Sequence, residues 1–538
     1  MANTVLEPPD LAAPKIDEGM RFGHPRGLST LFFTEVWERF SYYGMRALLV
    51  LFMTAAVTGT NAGLGMDVKT STAIYGLYTS MVYLLALPGG WVADKLWGQQ
   101  RAVFVGGCII AIGHFTLAAP LIGLPVLPTF FAGLFFIIVG TGLLKPNVSS
   151  IVGQLYDVRA RVLGVPTPGG QEADSAQAHG VETETLGAKR DAGFSIFYMG
   201  INMGAIMGPF ICGTIGEKVN YHWGFSAAGF GMLFGLVQYR RGTKYLGEAG
   251  LRTTSHDKAA KADLSRKFYS VTASVVVTVS LLTALAVSGI IALSITDVAL
   301  WLGYGIVAIA VIYFGFLLLR AGYDRENKRR ILVIVWLFIL SAIFWSGFEQ
   351  AGSSMNLFAE KLTNRNIMGW EMPTTWLQNV NPIFIILLAP VFGYLWTWLA
   401  RRQKNPSIPL KFALGLLGLS VGFFVLAWGS AGATKEGSVA ISWLVVTYFL
   451  HTVGELCLSP VGLSSITKLA PRDRISQMMG LWFVATALGN LFAGLTAGTL
   501  ENKSASDVFS SVAIYVGVAG FVAVAGAPFV KRVMGKVE

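Results

Sequence analysis

This chain is short of charge. Only 13% of its 538 residues are Asp, Glu, Lys or Arg, whereas soluble domains carry about 25%. Hydrophobic residues reach 54% and mean hydropathy is +0.58, a balance that fits a polytopic membrane protein and not a soluble one. Cysteine is scarcer still. Cys108, Cys212 and Cys457 each lie in an apolar run and do not cluster, which rules out a disulfide framework or a Cys-based zinc site. Acids are outnumbered, 30 against 41 bases, for a net charge of +11. An excess of that size can signal nucleic acid, but the bases concentrate in short loops between apolar segments, where membrane topology explains them and no nucleic-acid partner is needed. The segment up to Arg26 is polar and holds Pro8, Pro9, Pro14 and Pro25. It lacks a short apolar run with a cleavage site, so the first span is expected to serve as an uncleaved insertion signal.

A span needs about twenty apolar residues. On that measure fourteen are expected: 29–57, 71–95, 101–121, 126–154, 190–216, 223–240, 269–294, 297–321, 331–359, 375–401, 410–429, 439–468, 475–499 and 507–531. Loop charge sets their orientation. One set of loops holds Lys95, Arg101, Arg240, Arg241, Lys244, Arg325, Lys328, Arg401, Arg402, Lys468 and Arg474 among others, and the alternate set holds few bases. The positive-inside rule makes the basic loops and both termini cytoplasmic. Residues 155–189, rich in Gly, Ala, Gln and Glu, read as a mobile cytoplasmic loop. Residues 1–28 form a cytoplasmic segment, 29–240 a first bundle of six helices, 241–268 a basic linker, 269–322 two further spans and 323–534 a second bundle of six. The cores of the two extra spans carry no charge, so they are expected to be lipid-facing additions to an all-α fold of two bundles around a central cavity.

The first span contains TEVWERFSYYGMR, Thr34 to Arg46. At about 100° per residue, with Glu35 at zero, Glu38 falls near 300°, Arg39 near 40°, Tyr42 near 340° and Arg46 near 20°. Two acids, two guanidiniums and a phenol therefore share one stripe. Each charge costs about 2.5–3.5 kcal/mol at the bilayer centre, so the stripe must face a polar cavity or pair its charges.

Other spans add polar groups in weakened helix. Gly90 to Arg101 reads GWVADKLWGQQR and resembles the loop signature of the major facilitator superfamily, with one extra residue before Arg101. Gly90 allows close helix approach there, and Asp94 can accept the free amides of a helix N-terminus. Lys145 precedes Pro146, which can bend its helix; alternatively Lys145 snorkels to an interface. GINMGAIMG places Gly200, Gly204 and Gly208 four apart, a packing face first, with Asn202 inside it needing a partner. Glu349 and Glu455 are the acids well inside the second half. Trp345 precedes Glu349 by one turn and Ser459 follows Glu455 by one turn, while Asn381 stands before Pro382. An intramembrane carboxylate must be neutral or paired, which favours a functional role. His114 and His451 are weaker candidates. No metal-ligand cluster or nucleophile–base arrangement emerges among these residues, so neither an enzyme nor a cofactor is expected.

Taken together, E-x-x-E-R-F-x-Y-Y-G at Glu35–Gly44, GLLKPN at Gly142–Asn147, FYMGIN at Phe197–Asn202, WLQNVNP at Trp376–Pro382 and GELCLSPVGL at Gly454–Leu463 resemble the proton-coupled oligopeptide transporters. The resemblance runs from about residue 25 to 530 and implies a bacterial inner-membrane symporter of di- and tripeptides, functional as a monomer. It implies peptide carboxylate near Arg46 and Lys145, amine near Glu455 with Asn381 and Ser459, and backbone at Asn202. Tyr42, Tyr43, Tyr83, Tyr198, Trp345 and Trp482 would line side-chain pockets. Proton coupling would fall to Glu35, Glu38, Arg39 and Glu349, with Arg46–Glu349 pairing across an outer gate and Lys145–Glu455 across an inner one. Some relatives carry a histidine where this chain has Gly76, so the carboxylates must carry coupling here. Plant relatives that move nitrate often lack the intact E-x-x-E-R, which makes nitrate or another small anion the alternative.

Overall fold

The computed structural model describes residues 20–163, 180–251, 258–287, 294–433, 438–471 and 474–534. In chain order the helices before the basic linker are α1 (Gly27–Thr54), α2 (Val68–Leu84), α3 (Ala86–Val92), α4 (Gln99–Ala118), α5 (Val126–Leu163), α6 (Gly180–Gly208), α7 (Thr214–Lys218) and α8 (Tyr221–Gly242). After it come α9 (Lys258–Val287), α10 (Ile295–Leu319), α11 (Arg325–Phe348), α12 (Ser354–Lys361), α13 (Val380–Arg401), α14 (Ile408–Ser430), α15 (Ser442–Leu469), α16 (Ile475–Ala497) and α17 (Ala505–Met534). The strands are pairs of two residues each, such as Met20–Arg21 with His24–Pro25.

Helix occupies each stretch read as a span, and ten of these are, among the described residues, long and apolar enough to cross a membrane. α1 is long enough but carries Glu35, Glu38, Arg39 and Arg46. α2 is 17 residues long, since Pro88 lacks the amide that would bond the Leu84 carbonyl. Two sequence expectations are corrected. The stretch 155–189 is not a loop throughout, because α5 continues to Leu163 and α6 begins at Gly180; residues 164–179 lie outside the described residues. The linker 241–268 is likewise partly helical, with a 3-10 turn at Thr243–Tyr245 and α9 starting at Lys258.

In lipid, helices associate through close packing and not through hydrophobic transfer, so small residues mark the tight contacts. Gly200, Gly204 and Gly208 of α6 lie on α1, where an added Cβ would collide with Phe32, Val36 and Phe40. This contact fixes α6, and with it Asn202, against the charged stripe of α1. Before the linker, α1 also packs on α8, and α4 on α5 and α8; after it, α14 packs on α15 and α17, and α11 on α16. Their cores are separate, one built around Phe344, Phe412, Phe423 and Phe509, the others around Phe52, Phe130 and Phe225 and around Leu31, Ile151 and Tyr156. The two halves touch where α2 meets α16 and α6 meets α13. Gly76 sits in the first seam, where an added Cβ would lie 3.1 Å from the Gly494 Cα, so a histidine there would require the facing backbone to give way. α10 buries one stripe (Ala299, Gly303, Ile306, Ala310, Phe314 and Leu317) against that same seam and exposes the rest. It is therefore not purely a lipid-facing addition.

Candidate functional site

A cavity of about 260 Å³ opens between the halves, small beside the roughly 300–1,000 Å³ usual for drug-sized ligands. Tyr43, Arg46, Tyr83, Tyr198 and Asn202 line it from the first half, and Trp345, Glu349, Asn381, Glu455 and Ser459 from the second. Arg46 comes from α1, two turns past Arg39. Glu349 is placed by a break in its span, where α11 gives way to a 3-10 turn at Glu349–Gly352. Arg46 Nη2 donates to Glu349 Oε2, and its Nε donates to the Tyr75 hydroxyl at 2.5 Å. Both side chains of the pair are largely buried, at 10% and 6% exposure. A charge-assisted bond removed from water in this way is worth more than a surface pair, and breaking it would strand two charges.

At the second-half wall, Asn381 Nδ2 donates to Glu455 Oε2 at 3.1 Å and to Thr452 Oγ1 at 3.0 Å. This ties the first turn of α13, where Pro382 is tolerated, to α15. Asn202 turns its amide back to the Tyr198 carbonyl at 3.1 Å, leaving its oxygen for the cavity. Trp345 Nε1 is buried without a hydrogen-bond partner among the described residues. The site thus offers a guanidinium on one half, a carboxylate on the other and amides between them.

The two glutamates and Arg39 of the α1 stripe are buried beside the cavity and do not line it. Arg39 Nε lies 2.7 Å from Glu35 Oε1 and 3.0 Å from Glu38 Oε2. One guanidinium serves two carboxylates, so the trio carries a net charge of −1 when both are ionised. Glu35 Oε2 and Glu38 Oε1 have no hydrogen-bond partner among the described residues, and Glu38 Oε2 has only its ion-pair contact with Arg39. Such orphaned acceptors are costly in an apolar interior, and one proton would make the trio neutral.

Several expected placements differ. Lys145 and Glu455 do not pair: the Lys145 ammonium lies 3.6 Å from the Tyr83 ring centroid, while Glu455 is held by Asn381. Lys145 therefore neither snorkels nor lines the cavity, but stacks behind one of its walls. Tyr42 is buried against Tyr43 and Tyr78, outside the lining. Trp482 packs in the second-half core on Phe412, with Gly462 making room for its ring; an aromatic at helical spacing here is core. Asp94 accepts from the Gln99 side chain at 3.2 Å rather than from backbone amides. Gly90 leaves ordinary space at Pro146, and Arg101 stacks near Trp97, 5.9 Å from its ring.

Sequence reading missed the end of the molecule opposite the basic loops. Glu217, on α7, accepts from the Thr374 and Thr375 amides at 2.7 and 2.9 Å and from the Thr375 hydroxyl at 2.7 Å. The threonines open the 3-10 turn Thr374–Asn379 ahead of α13, so one acid caps a helical turn of the other half. Beside it, Trp376 Nε1 donates to Thr214 Oγ1 at 2.8 Å. The signal was faint: Glu217 lies one residue past the expected span end at 216 and looked like a loop acid. Tyr75, Gln378 and Tyr448 were missed as well, being single polar groups in apolar helix without a motif.

Comparison with known proteins identifies the family. A family model described as the POT family matches residues 100–512. The chain belongs to the POT family. It is 41% identical over 489 residues to a peptide transporter of Yersinia enterocolitica, covering 89% of each chain. It is 37% identical over 476 residues to a di-/tripeptide transporter of Lactococcus lactis, covering 86% of this chain and 87% of that one. Among solved POT structures, the peptide transporter POT in complex with sulfate superposes with a TM-score of 0.83 at 37% identity, covering 96% of this chain and 98% of that chain. A POT family transporter in complex with 5-aminolevulinic acid superposes at 0.81 and 32% identity, covering 96% and 99%. The chain is an integral membrane protein of a transporter family.

Proposed function

We propose that this protein is a proton-coupled symporter that imports di- and tripeptides by alternating access, as a monomer with fourteen membrane helices. Two six-helix bundles, 29–240 and 323–534, enclose the cavity, the helices within 269–322 are an inserted pair, and both termini are cytoplasmic on the positive-inside rule. The reading needs no cofactor beyond the coupling proton, no nucleic acid and no enzymatic step. The observation that carries it is the cavity wall itself: Arg46, held by Glu349 and Tyr75, faces a cavity that Glu455 and Asn381 line from the other half. A peptide zwitterion needs just such a cation and anion. Its carboxylate competes with Glu349 for Arg46, and a proton on Glu349 releases the guanidinium. Asn202 and Asn381 meet backbone groups, and Tyr43, Tyr83, Tyr198 and Trp345 give broad surfaces that accept many side chains.

The pairing describes one stage of the cycle. Arg46–Glu349 is made, the Glu217 end is latched, and Lys145–Glu455 is unmade, which supports a form closed to the outside. One proton supplies about 1.4 kcal/mol per pH unit and about 2.3 kcal/mol per 100 mV. Together these permit roughly several-hundredfold accumulation of a net-neutral peptide.

Nitrate is the weaker reading, since a lone anion leaves Glu455 without a purpose. Proteoliposomes decide: saturable, pH-driven uptake of labelled dialanine, competed by other dipeptides and not by nitrate, is expected. Uptake competed by nitrate would overturn the peptide assignment.

A further inference from the structure

At the basic end, away from the cavity, a recess of about 240 Å³ lies between the first turn of α4 and the last turn of α8. Arg101 and Arg240 line it, with Trp97, Phe104 and Tyr239. Among the described residues neither arginine pairs with a carboxylate. The recess is built, not incidental. Gln100 donates from its side chain to the Gly247 and Ala249 carbonyls at 3.1 and 2.7 Å, and from its backbone to Gly250 at 3.1 Å. The Tyr239 hydroxyl donates to the Gln100 carbonyl at 3.0 Å.

Both helices continue from the arginines as apolar stripes, exposed on α8 and largely half-buried on α4. On α8, Val237, Phe234 and Phe230 are 50%, 60% and 50% exposed; on α4, Ile112 is 52% exposed. The stripes meet at the Phe115–Phe230 edge contact, ring centroids 5.2 Å apart. From residue 101 to 115 a helix rises about 21 Å, more than one leaflet's share of a hydrocarbon layer about 30 Å thick. Charge at one end and a leaflet-length apolar track below it match a phospholipid, not a soluble anion.

We propose that this recess binds one anionic phospholipid, its phosphate between Arg101 and Arg240 and its acyl chains along the α4–α8 stripe. Two guanidiniums that pair with no carboxylate among the described residues favour an anionic headgroup, and an indole at the same depth is the usual interfacial anchor. Because Arg101 and Asp94 flank the α3–α4 connection, an occupant there would bear on how the basic end moves.

Native mass spectrometry of the full-length protein in detergent tests this with added phosphatidylglycerol. Wild type should retain one phosphatidylglycerol in preference to phosphatidylcholine. Arg101→Gln/Arg240→Gln should weaken retention about tenfold to thirtyfold, while Arg101→Lys/Arg240→Lys retains it. A control pair at the same end, Arg325→Gln/Arg329→Gln, should leave it unchanged. Equal loss in the control pair, equal retention of phosphatidylcholine, or displacement by glycerol 3-phosphate as effective as by the lipid would each overturn the assignment.

Discussion

Glu217→Gln tests whether one carboxylate latches the end opposite the basic loops. The native acid accepts three hydrogen bonds from two successive threonines of the other half, at 2.7, 2.9 and 2.7 Å. Hydrogen bonds to a charged acceptor contribute about 1.5–3 kcal/mol each. Glutamine keeps one oxygen, surrenders the charge and turns an amide towards donors. Losing the equivalent of one to two such bonds costs the closed form about 2–4 kcal/mol, or roughly 30- to 1,000-fold in its population relative to an open one. Spin labels on Val219→Cys and Met368→Cys, in a background lacking Cys108, Cys212 and Cys457, report the separation at this end; both positions are exposed, at 63% and 103%. The variant should shift the distance distribution to longer values, and Glu217→Asp should shift it less. An unchanged distribution in Glu217→Gln would show that the bonds are incidental to closure.

Glu349→Gln should abolish accumulation of dialanine up a pH gradient while leaving peptide exchange without a gradient; continued accumulation would sink the proposed release of Arg46. Gly204→Val drives a branched side chain into Val36 and Arg39 and should lower stability by about 1–3 kcal/mol or more, read as a fall in the thermal midpoint in detergent. Asp67 caps α2 through the Thr70 amide at 2.7 Å, and that bond holds its carboxyl below the usual range. A depressed folded value means the stabilisation is complete above the unfolded pKa of about 3.9 and lost as pH falls through the folded one. Asp67→Ala should therefore cost about 1 kcal/mol equally at pH 7 and pH 5, and a cost that vanished by pH 5 would contradict the cap.

How far the sequence could be read depended on what each residue must satisfy. Glu35, Glu38, Arg39, Glu349 and Glu455 were visible because a charge in an apolar helix cannot face lipid, whatever the tertiary detail. Helix positions were visible because in a bilayer every backbone group must bond within its own segment. Contacts between distant segments were not. Trp482 and Tyr42 are as aromatic as Trp345 and Tyr43, and only packing decides that the first two fill cores. Glu217 matters because it meets Thr374 and Thr375 across 157 and 158 positions of chain, and no local pattern announces such a pairing. The ends of α5, α6 and α9 escaped for a third reason: polar helical turns beyond the membrane carry no apolar period.

On the proposed function, one helix serves two ligands. Arg39 and Arg46 are seven residues apart on α1, about 10 Å along its axis. Only Arg46 reaches the cavity. Arg39 is enclosed with two glutamates whose remaining oxygens are orphaned, so a proton taken there changes the charge of the first half's interior without touching a peptide. Arg46 is enclosed with one glutamate of the second half, so on the same proposal a proton there would untie the halves from each other. The two acidic sites would then do different work: the trio sets the charge carried inside α1, and the Arg46–Glu349 pair decides whether the halves are tied. Glu38→Gln neutralises the first without cutting the second. It should leave peptide exchange intact and move the pH at which uptake is half-maximal, whereas Glu349→Gln removes gradient-driven uptake at every pH. If the two variants gave the same profile, the sites would be one titrating unit and the division along α1 would fail.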